Sequence, residues 1–382
     1  MNRLGIAGER IRLAVLPAFY VLGVLLALNP RRGIDFTVFR TAGERWLAGT
    51  SLYRAEDGPM PFKYAPPVAV LLAFLALIPR GLGAVVWNAA SVALLSLAVV
   101  QLQRLDPGPE RADGTWAALA LAGPIGTVLF YGQVDLLLLG FLVLAAAAVH
   151  SRSDGGTLLG LSLLTKPPAA LSVLFFLGRR RWRALVVAAG VVLLVTAVFA
   201  LRTGVGTLGR EVAAWQDLVE RSTVEWVTGP NPQGLPTLIL DVAGWFGTRP
   251  SSETLMLAQL AAVLFFAALI RALRQDSAAC FRMTCLSIAL CSPLAWRANF
   301  VLALPALRRV VAAARWGDGF CRLLLGLVVV ASVLTSGVFL DRTATERLLA
   351  FRPWGLLGLL LVVVEFSAPR APPAVRASAS PE

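Results

Sequence analysis

Lysine and histidine are almost missing from this chain. Of 35 basic residues only Lys63 and Lys166 are lysines, and His150 is the single histidine. The four cysteines, Cys280, Cys285, Cys291 and Cys321, lie in or beside apolar segments, form no C-x-x-C pair and stand far from His150 in sequence. That disfavours a zinc site and a disulfide framework, and leaves the thiols as packing groups. Charge is scarce as well. Only 15% of the 382 residues are charged against 57% hydrophobic, and the mean hydropathy of +0.74 excludes an ordinary soluble domain. Also missing are a Walker P-loop, a G-x-G-x-x-G turn, a D-x-D pair and an H-E-x-x-H helix. If the chain is an enzyme, its activated substrate comes from the membrane.

What is present is long apolar sequence cut by arginine. A span needs roughly 20 apolar residues, and the pattern predicts an all-α polytopic membrane protein with spans near 11–29, 65–78, 83–103, 115–131, 134–150, 155–177, 184–201, 254–273, 279–296, 299–311, 320–340 and 353–366. The segments 65–78, 299–311 and 353–366 are short, which suits tilted or re-entrant pieces. Twelve crossings place both termini on one side. The net charge of +13 would suggest nucleic acid in a soluble chain. Here Arg3, Arg10 and Arg12, the run Arg179 to Arg183, Arg271, Arg274, Arg282, Arg308, Arg309, Arg315 and Arg322 all fall on the face of the termini. They mark that face as cytoplasmic, with no nucleic-acid partner. Residues 1–366 read as one transmembrane domain, and 367–382, rich in Pro, Ala and Ser, as a disordered cytoplasmic tail.

Three irregular stretches then face outward: residues 30–64, 202–253 and the turn 292–299. In the first, Asp35 follows Arg31, Arg32 and Gly33, and Phe39, Trp46, Leu47, Leu52 and Tyr53 form an apolar stripe interrupted by Arg40, Glu44 and Arg45. Such spacing suits a helix lying on the membrane surface and roofing a cavity, with Asp35 near the lipid boundary. Asp35 reads either as a solvated loop residue or as the reactive carboxylate. Lys63 and Tyr64, before Pro66 and Pro67, read either as an interfacial anchor or as a phosphate-binding cation with its neighbour. In 202–253, the run from Leu235 to Phe246 could dip into the interface as an amphipathic helix.

Gln133 and Asp135 sit between two apolar segments, and Lys166 interrupts another just before Pro167 and Pro168. An ionisable group inside a membrane segment costs roughly 2.5–3.5 kcal/mol on insertion scales, so it faces a cavity or a partner. Lys166 is expected to be functional or paired, with Asp135 the candidate partner. Strict alternation, however, puts Gln133 at the cytoplasmic end, and a meeting with Asp35 requires broken or re-entrant helices. Asn231 and Gln233 lie in a proline-flanked turn that suits either a hydroxylated ligand or a plain loop. Trp296 and Arg297, after Ser292-Pro293, make a pair suited to a lipid phosphate or a sugar ring.

In this order the pieces resemble glycosyltransferase family 87: Asp35-Phe36, Gly49 to Tyr53, Tyr64 to Pro67, Gly132 to Asp135, Gly160 to Lys166, Arg180 to Arg183, Asn231 to Gly234, and Ser292 to Trp296. The likeness covers roughly residues 10–310. It implies a GT-C fold of about twelve transmembrane segments with short interfacial helices in the extracytoplasmic loops. It also implies a polyprenyl-phosphate sugar as donor, mannose above all, and a glycolipid or envelope glycan as acceptor among the membrane lipids. Asp35 takes the family's role of general base in an inverting transfer, and Lys63, Arg297 and Arg40 become candidates for holding the leaving phosphate. No metal and no cofactor are expected, although Glu56 and Asp57 share the Asp35 loop. Two positions depart from the family's pattern. Arg297, Ala298 and Asn299 stand where histidines are usual, and Asp135 stands where asparagine is usual. A transporter or lipid flippase using Lys166 and Asp135 is the alternative reading.

Overall fold

The computed structural model describes residues 3–367 except 30, 59, 109, 110 and 151–153. The expected tail therefore lies almost wholly outside the described residues. Every regular element among the described residues is helical. Three helices are long and apolar enough to cross a membrane: Arg80–Leu105, Trp182–Thr203 and Ser252–Ala272. Two bent pairs raise that number to five if each pair counts as one span, Asp113–Ala120 with Ala122–Tyr131 (65°) and Arg342–Ala350 with Pro353–Ser367 (42°). The other expected crossings correspond to shorter apolar helices or to broken ones, among them Asp135–His150 and Gly319–Leu334.

The breaks follow from proline. Pro124 has no N–H to offer Ala120, four residues back, and its ring crowds that carbonyl, so the helix stops there and resumes at Ala122 in a new direction. Gly123 sits at this elbow against the Gly319–Leu334 helix. A Cβ on it would lie 2.2 Å from the Ser332 carbonyl oxygen, and its N–H donates to Ser332 Oγ at 2.7 Å. The expected 155–177 span is likewise cut into Gly156–Thr165, a 3₁₀ stretch Pro167–Leu171, and Ser172–Gly178. Pro167 drives the residue before it out of the α region, and Lys166 is indeed extended at φ −152°, ψ 138°. The spans expected at 279–296 and 299–311 become Ser277–Leu290, a 3₁₀ stretch Arg297–Ala303, and Leu304–Arg315. Broken helices survive at membrane depth where protein, not lipid, surrounds the freed backbone groups. Leu286, Leu290, Leu302 and Leu307 are accordingly fully buried in the main core.

A second core lies under the expected surface helix, which forms at Ile34–Ala48 and ends on Gly49 in the left-handed region, φ 66°. It buries Phe36, Phe39, Ala42 and Trp46 against Leu72, Leu75, Trp87 and Phe199. Full burial of a Phe side chain contributes about 2–3 kcal/mol, and Phe36 and Phe39 are each 1% exposed, so this helix is packed down and not merely floating. Its backbone crosses the Val68–Ala76 helix so closely that a Cβ on Gly43 would meet the Leu72 carbonyl oxygen at 2.6 Å. Residues 202–253 are far more regular than expected. They carry a 23-residue helix, Val205–Val227, and the short Leu235–Trp245 helix. Leu208, Val212, Trp215 and Val219 recur at helical spacing along the first of these, the pattern that marks it.

Candidate active site

Asp35 occupies the first turn of the Ile34–Ala48 helix, where the helix N-terminus favours negative charge. That turn is docked on the chain following Tyr131. The Gly33 N–H donates to the Phe130 carbonyl at 2.9 Å, and Trp87 Nε1 donates to the Gly132 carbonyl at 2.9 Å. Gly132 caps its helix with φ 72°, and a Cβ there would stand 2.7 Å from Phe36 Cβ. Only glycine fits this left-handed cap pressed on Phe36. The docking brings Gln133 beside Asp35. The segment that carries Gln133 follows the 65° elbow between Asp113–Ala120 and Ala122–Tyr131.

Asp35, Lys63, Tyr64, Gln133, Lys166 and Trp296 all line one cavity of about 670 Å³. Burial pushes the Asp35 carboxyl up to about 6; a hydrogen bond from the Gln133 side chain and the charge of Lys166 oppose the rise, and the Asp135 charge adds to it. Burial also lowers the Lys63 ammonium, opposed by Glu225, and raises the Tyr64 hydroxyl, helped by Asp35 and Asp135. The Lys63–Tyr64 segment is held from both sides. Trp215 Nε1 donates to the Lys63 carbonyl at 3.0 Å, and the Tyr53 hydroxyl donates to the Tyr64 carbonyl at 2.6 Å.

The expected Lys166–Asp135 partnership is present. Lys166 Nζ donates to both carboxylate oxygens, at 2.8 and 2.9 Å, and Asn299 Nδ2 adds a third contact at 3.1 Å. Asp135 is fully buried and does not itself line the cavity, whereas Lys166 and Asn299 do. Asn299 also accepts from the Trp296 N–H at 2.8 Å, and so joins the ion pair to the cavity wall. Within the wall, Trp296 stacks on Trp226 with centroids 6.2 Å apart and planes 10° apart, and Lys63 Nζ lies 4.7 Å from the Trp226 ring centroid. Trp226 and the neighbouring Glu220 and Thr223 come from the Val205–Val227 helix and were not anticipated.

Four expected site residues lie elsewhere. Arg40 pairs with Glu44 at 2.8 Å and donates to the carbonyls of Leu75 (2.9 Å) and Ile78 (2.5 Å), closing the end of the Val68–Ala76 helix. Those carbonyls lack helical partners, so the guanidinium is spent on them. Arg297 faces a different groove and donates to Thr127 Oγ1 at 2.9 Å and to the Thr335 carbonyl. Gln233 is buried as a loop brace, donating to the Pro230 and Leu349 carbonyls at 2.9 Å each. Asn231 is exposed and does not line the cavity. Of the loop acids, Asp57 is paired with Arg45 at 2.7 Å. Among the described residues no three His, Cys, Asp or Glu side chains gather as a metal-ligand set.

The cavity can therefore ionise a carboxyl near neutral pH beside a cation and an aromatic wall. A polyprenol-phosphate-mannose-dependent alpha-(1-2)-phosphatidylinositol pentamannoside mannosyltransferase of Mycolicibacterium smegmatis is 34% identical over 141 residues, 36% of this chain and 34% of that one. A polyprenol-phosphate-mannose-dependent alpha-(1-2)-phosphatidylinositol mannoside mannosyltransferase of the same organism is 29% identical over 74% of this chain and 70% of its own length. Its namesake from Mycobacterium tuberculosis is 28% identical over 52% of this chain and 49% of its own. Among solved structures, ArnT from Cupriavidus metallidurans bound to undecaprenyl phosphate superposes on 95% of this chain and 78% of that one, with a TM-score of 0.46 and 16% identity. The profile of glycosyltransferase family 87 matches residues 62–295, more than half of the chain, and the chain belongs to that family.

Proposed function

We propose that this protein is a membrane glycosyltransferase of GT-C architecture. It moves a mannosyl group from a polyprenyl phosphate to a hydroxyl of a glycolipid or envelope glycan, with inversion and with Asp35 as general base. The observation that carries the reading is the Asp35 carboxyl, raised to about 6 by burial, in the same cavity as Lys63. A general base works best when its pKa lies near the operating pH. In the reaction the acceptor O–H gives its proton to Asp35 as its oxygen bonds to the anomeric carbon. The bond from that carbon to the phosphate oxygen breaks, and the phosphate leaves with the electron pair. Asp35 then returns the proton to water. A phosphate leaving group needs no proton if a cation holds it, and Lys63, half-buried and lying over the Trp226 ring, is the candidate for that work. The Trp226–Trp296 wall supplies an apolar face for a sugar ring. The name of the relatives' donor supports polyprenyl-phosphate mannose. Arginines clustered on the side of the termini support an extracytoplasmic site with cytoplasmic termini.

The test is transfer from labelled polyprenyl-phosphate mannose in membranes carrying Asp35→Ala or Asp35→Asn. Loss of roughly 100-fold or more is expected for both. Wild-type transfer by either variant would remove Asp35 from the chemistry.

A further inference from the structure

A second groove, of about 1190 Å³, shares no lining residue with the Asp35 cavity. It runs along the Gly319–Leu334 helix, from Arg322 past Leu325 and Val329 to Val333, a length of about 16 Å at 1.5 Å per residue. Its walls are mostly apolar, and cations stand at both ends. At one end, Arg315 is neutralised by Asp113 at 2.5 Å. At the other, the cations have no carboxylate among the described residues. Arg297 reaches only Thr127 Oγ1 and the Thr335 carbonyl, and Arg32 lies over the Phe130 ring at 4.1 Å. Phe130 and Tyr131 stand edge to face at 4.9 Å and join these two arginines into one rim. A guanidinium partly out of water with only neutral acceptors retains donors and an uncompensated charge, and phosphate oxygens match both.

We propose that this groove is a lipid site for an anionic glycerophospholipid, its phosphodiester on Arg297 and Arg32 and its acyl chains along Leu325, Val329 and Gly126. The volume, nearly twice that of the Asp35 cavity, favours a two-chain lipid over a single prenyl chain. Among the described residues no carboxylate lines it. Tyr131, on the groove side, stands edge-on to Trp296 of the cavity with centroids 6.3 Å apart, so an occupied groove buttresses the cavity wall.

The test uses the full chain in detergent, incubated with phosphatidylglycerol or phosphatidylcholine, and native mass spectrometry to count retained lipid. Wild type is expected to retain phosphatidylglycerol at least about fivefold more than phosphatidylcholine, the preference that one interfacial cation provides. Arg297→Gln and Arg32→Gln should each lower the preference by about fivefold. Arg297 also braces two helices, so Gly126→Leu is the safer variant. Nothing lies within 4 Å of a Cβ at Gly126, so the new side chain enters the groove without disturbing the helix and should displace both lipids. Equal retention of the two lipids by wild type, or unchanged phosphatidylglycerol retention by a folded Arg32→Gln or Gly126→Leu protein, would overturn the proposal. Displacement of the bound lipid by equimolar polyprenyl phosphate would overturn the assignment to a glycerophospholipid.

Discussion

Lys166 Nζ and the Asp135 carboxylate, 31 residues apart in sequence, are joined by two hydrogen bonds of 2.8 and 2.9 Å, with Asp135 wholly buried and Lys166 at the cavity wall. Removing one member of a buried pair leaves the other's charge uncompensated, at a cost of about 3–5 kcal/mol. Lys166→Ala is therefore expected to lower thermal stability in detergent sharply, and Lys166→Ala with Asp135→Ala to recover part of the loss. A double-mutant cycle with no coupling would show that the pair contributes nothing.

Asp35 determines the acid limb of the pH profile. Its carboxyl must be ionised to accept a proton, so transfer should rise with pH through about 6 and level above it. Gln133→Leu removes a hydrogen bond that favours the ionised form, which moves the limb to higher pH. The linkage for stability has the opposite sense. The folded carboxyl binds its proton more tightly than the unfolded one, so the folded state loses stability as pH rises from about 4 through about 6. Asp35→Asn should accordingly raise the unfolding temperature at pH 7.5 but not at pH 3.5. A limb near 4 in the wild type would contradict the burial effect.

Gly132→Ala tests the docking of the Asp35 turn. A non-glycine residue at φ 72° costs about 1–2 kcal/mol, and the added methyl would lie 2.7 Å from Phe36 Cβ, adjacent to Asp35. Expected are a lowered unfolding temperature and a loss of transfer rate at saturating donor. A variant as stable and active as wild type would mean that this contact does not position the carboxylate.

Trp226→Ala removes the stack on Trp296 and the ring under Lys63. Loss of a partly desolvated cation–π contact and an aromatic pair predicts a KM for donor raised by about tenfold, with a smaller change in kcat. Initial rates against donor concentration decide it, and an unchanged KM would exclude the wall from donor binding.

Much of the site was legible in the residues. Asp35 ahead of an amphipathic stripe, Lys63 with Tyr64 before two prolines, and the Lys166–Asp135 partnership all follow from where polar groups interrupt apolar sequence, since an unpaired charge there is too costly to keep. The roles of the arginines were not legible. Arg40 and Arg297 have the same chemistry as a phosphate ligand, but open helix-end carbonyls claimed Arg40, and Thr127 with Thr335 claimed Arg297. Trp226 has no such local signal: the helical recurrence of Leu208, Val212, Trp215 and Val219 marks its helix, but only the fold brings its ring to Trp296 and Lys63.

By itself the sequence determined the helical, lipid-suited class of the chain, because apolar run length acts locally, but the runs 115–131 and 155–177 read as single spans although each is broken beside a proline. Which broken ends face one another was decided only in three dimensions. The 65° elbow beside Pro124 and the extended Lys166 before Pro167 turn the chain so that Gln133 and Lys166 arrive at Asp35. Local rules state where a chain bends, and only packing against the rest of the molecule selects the direction.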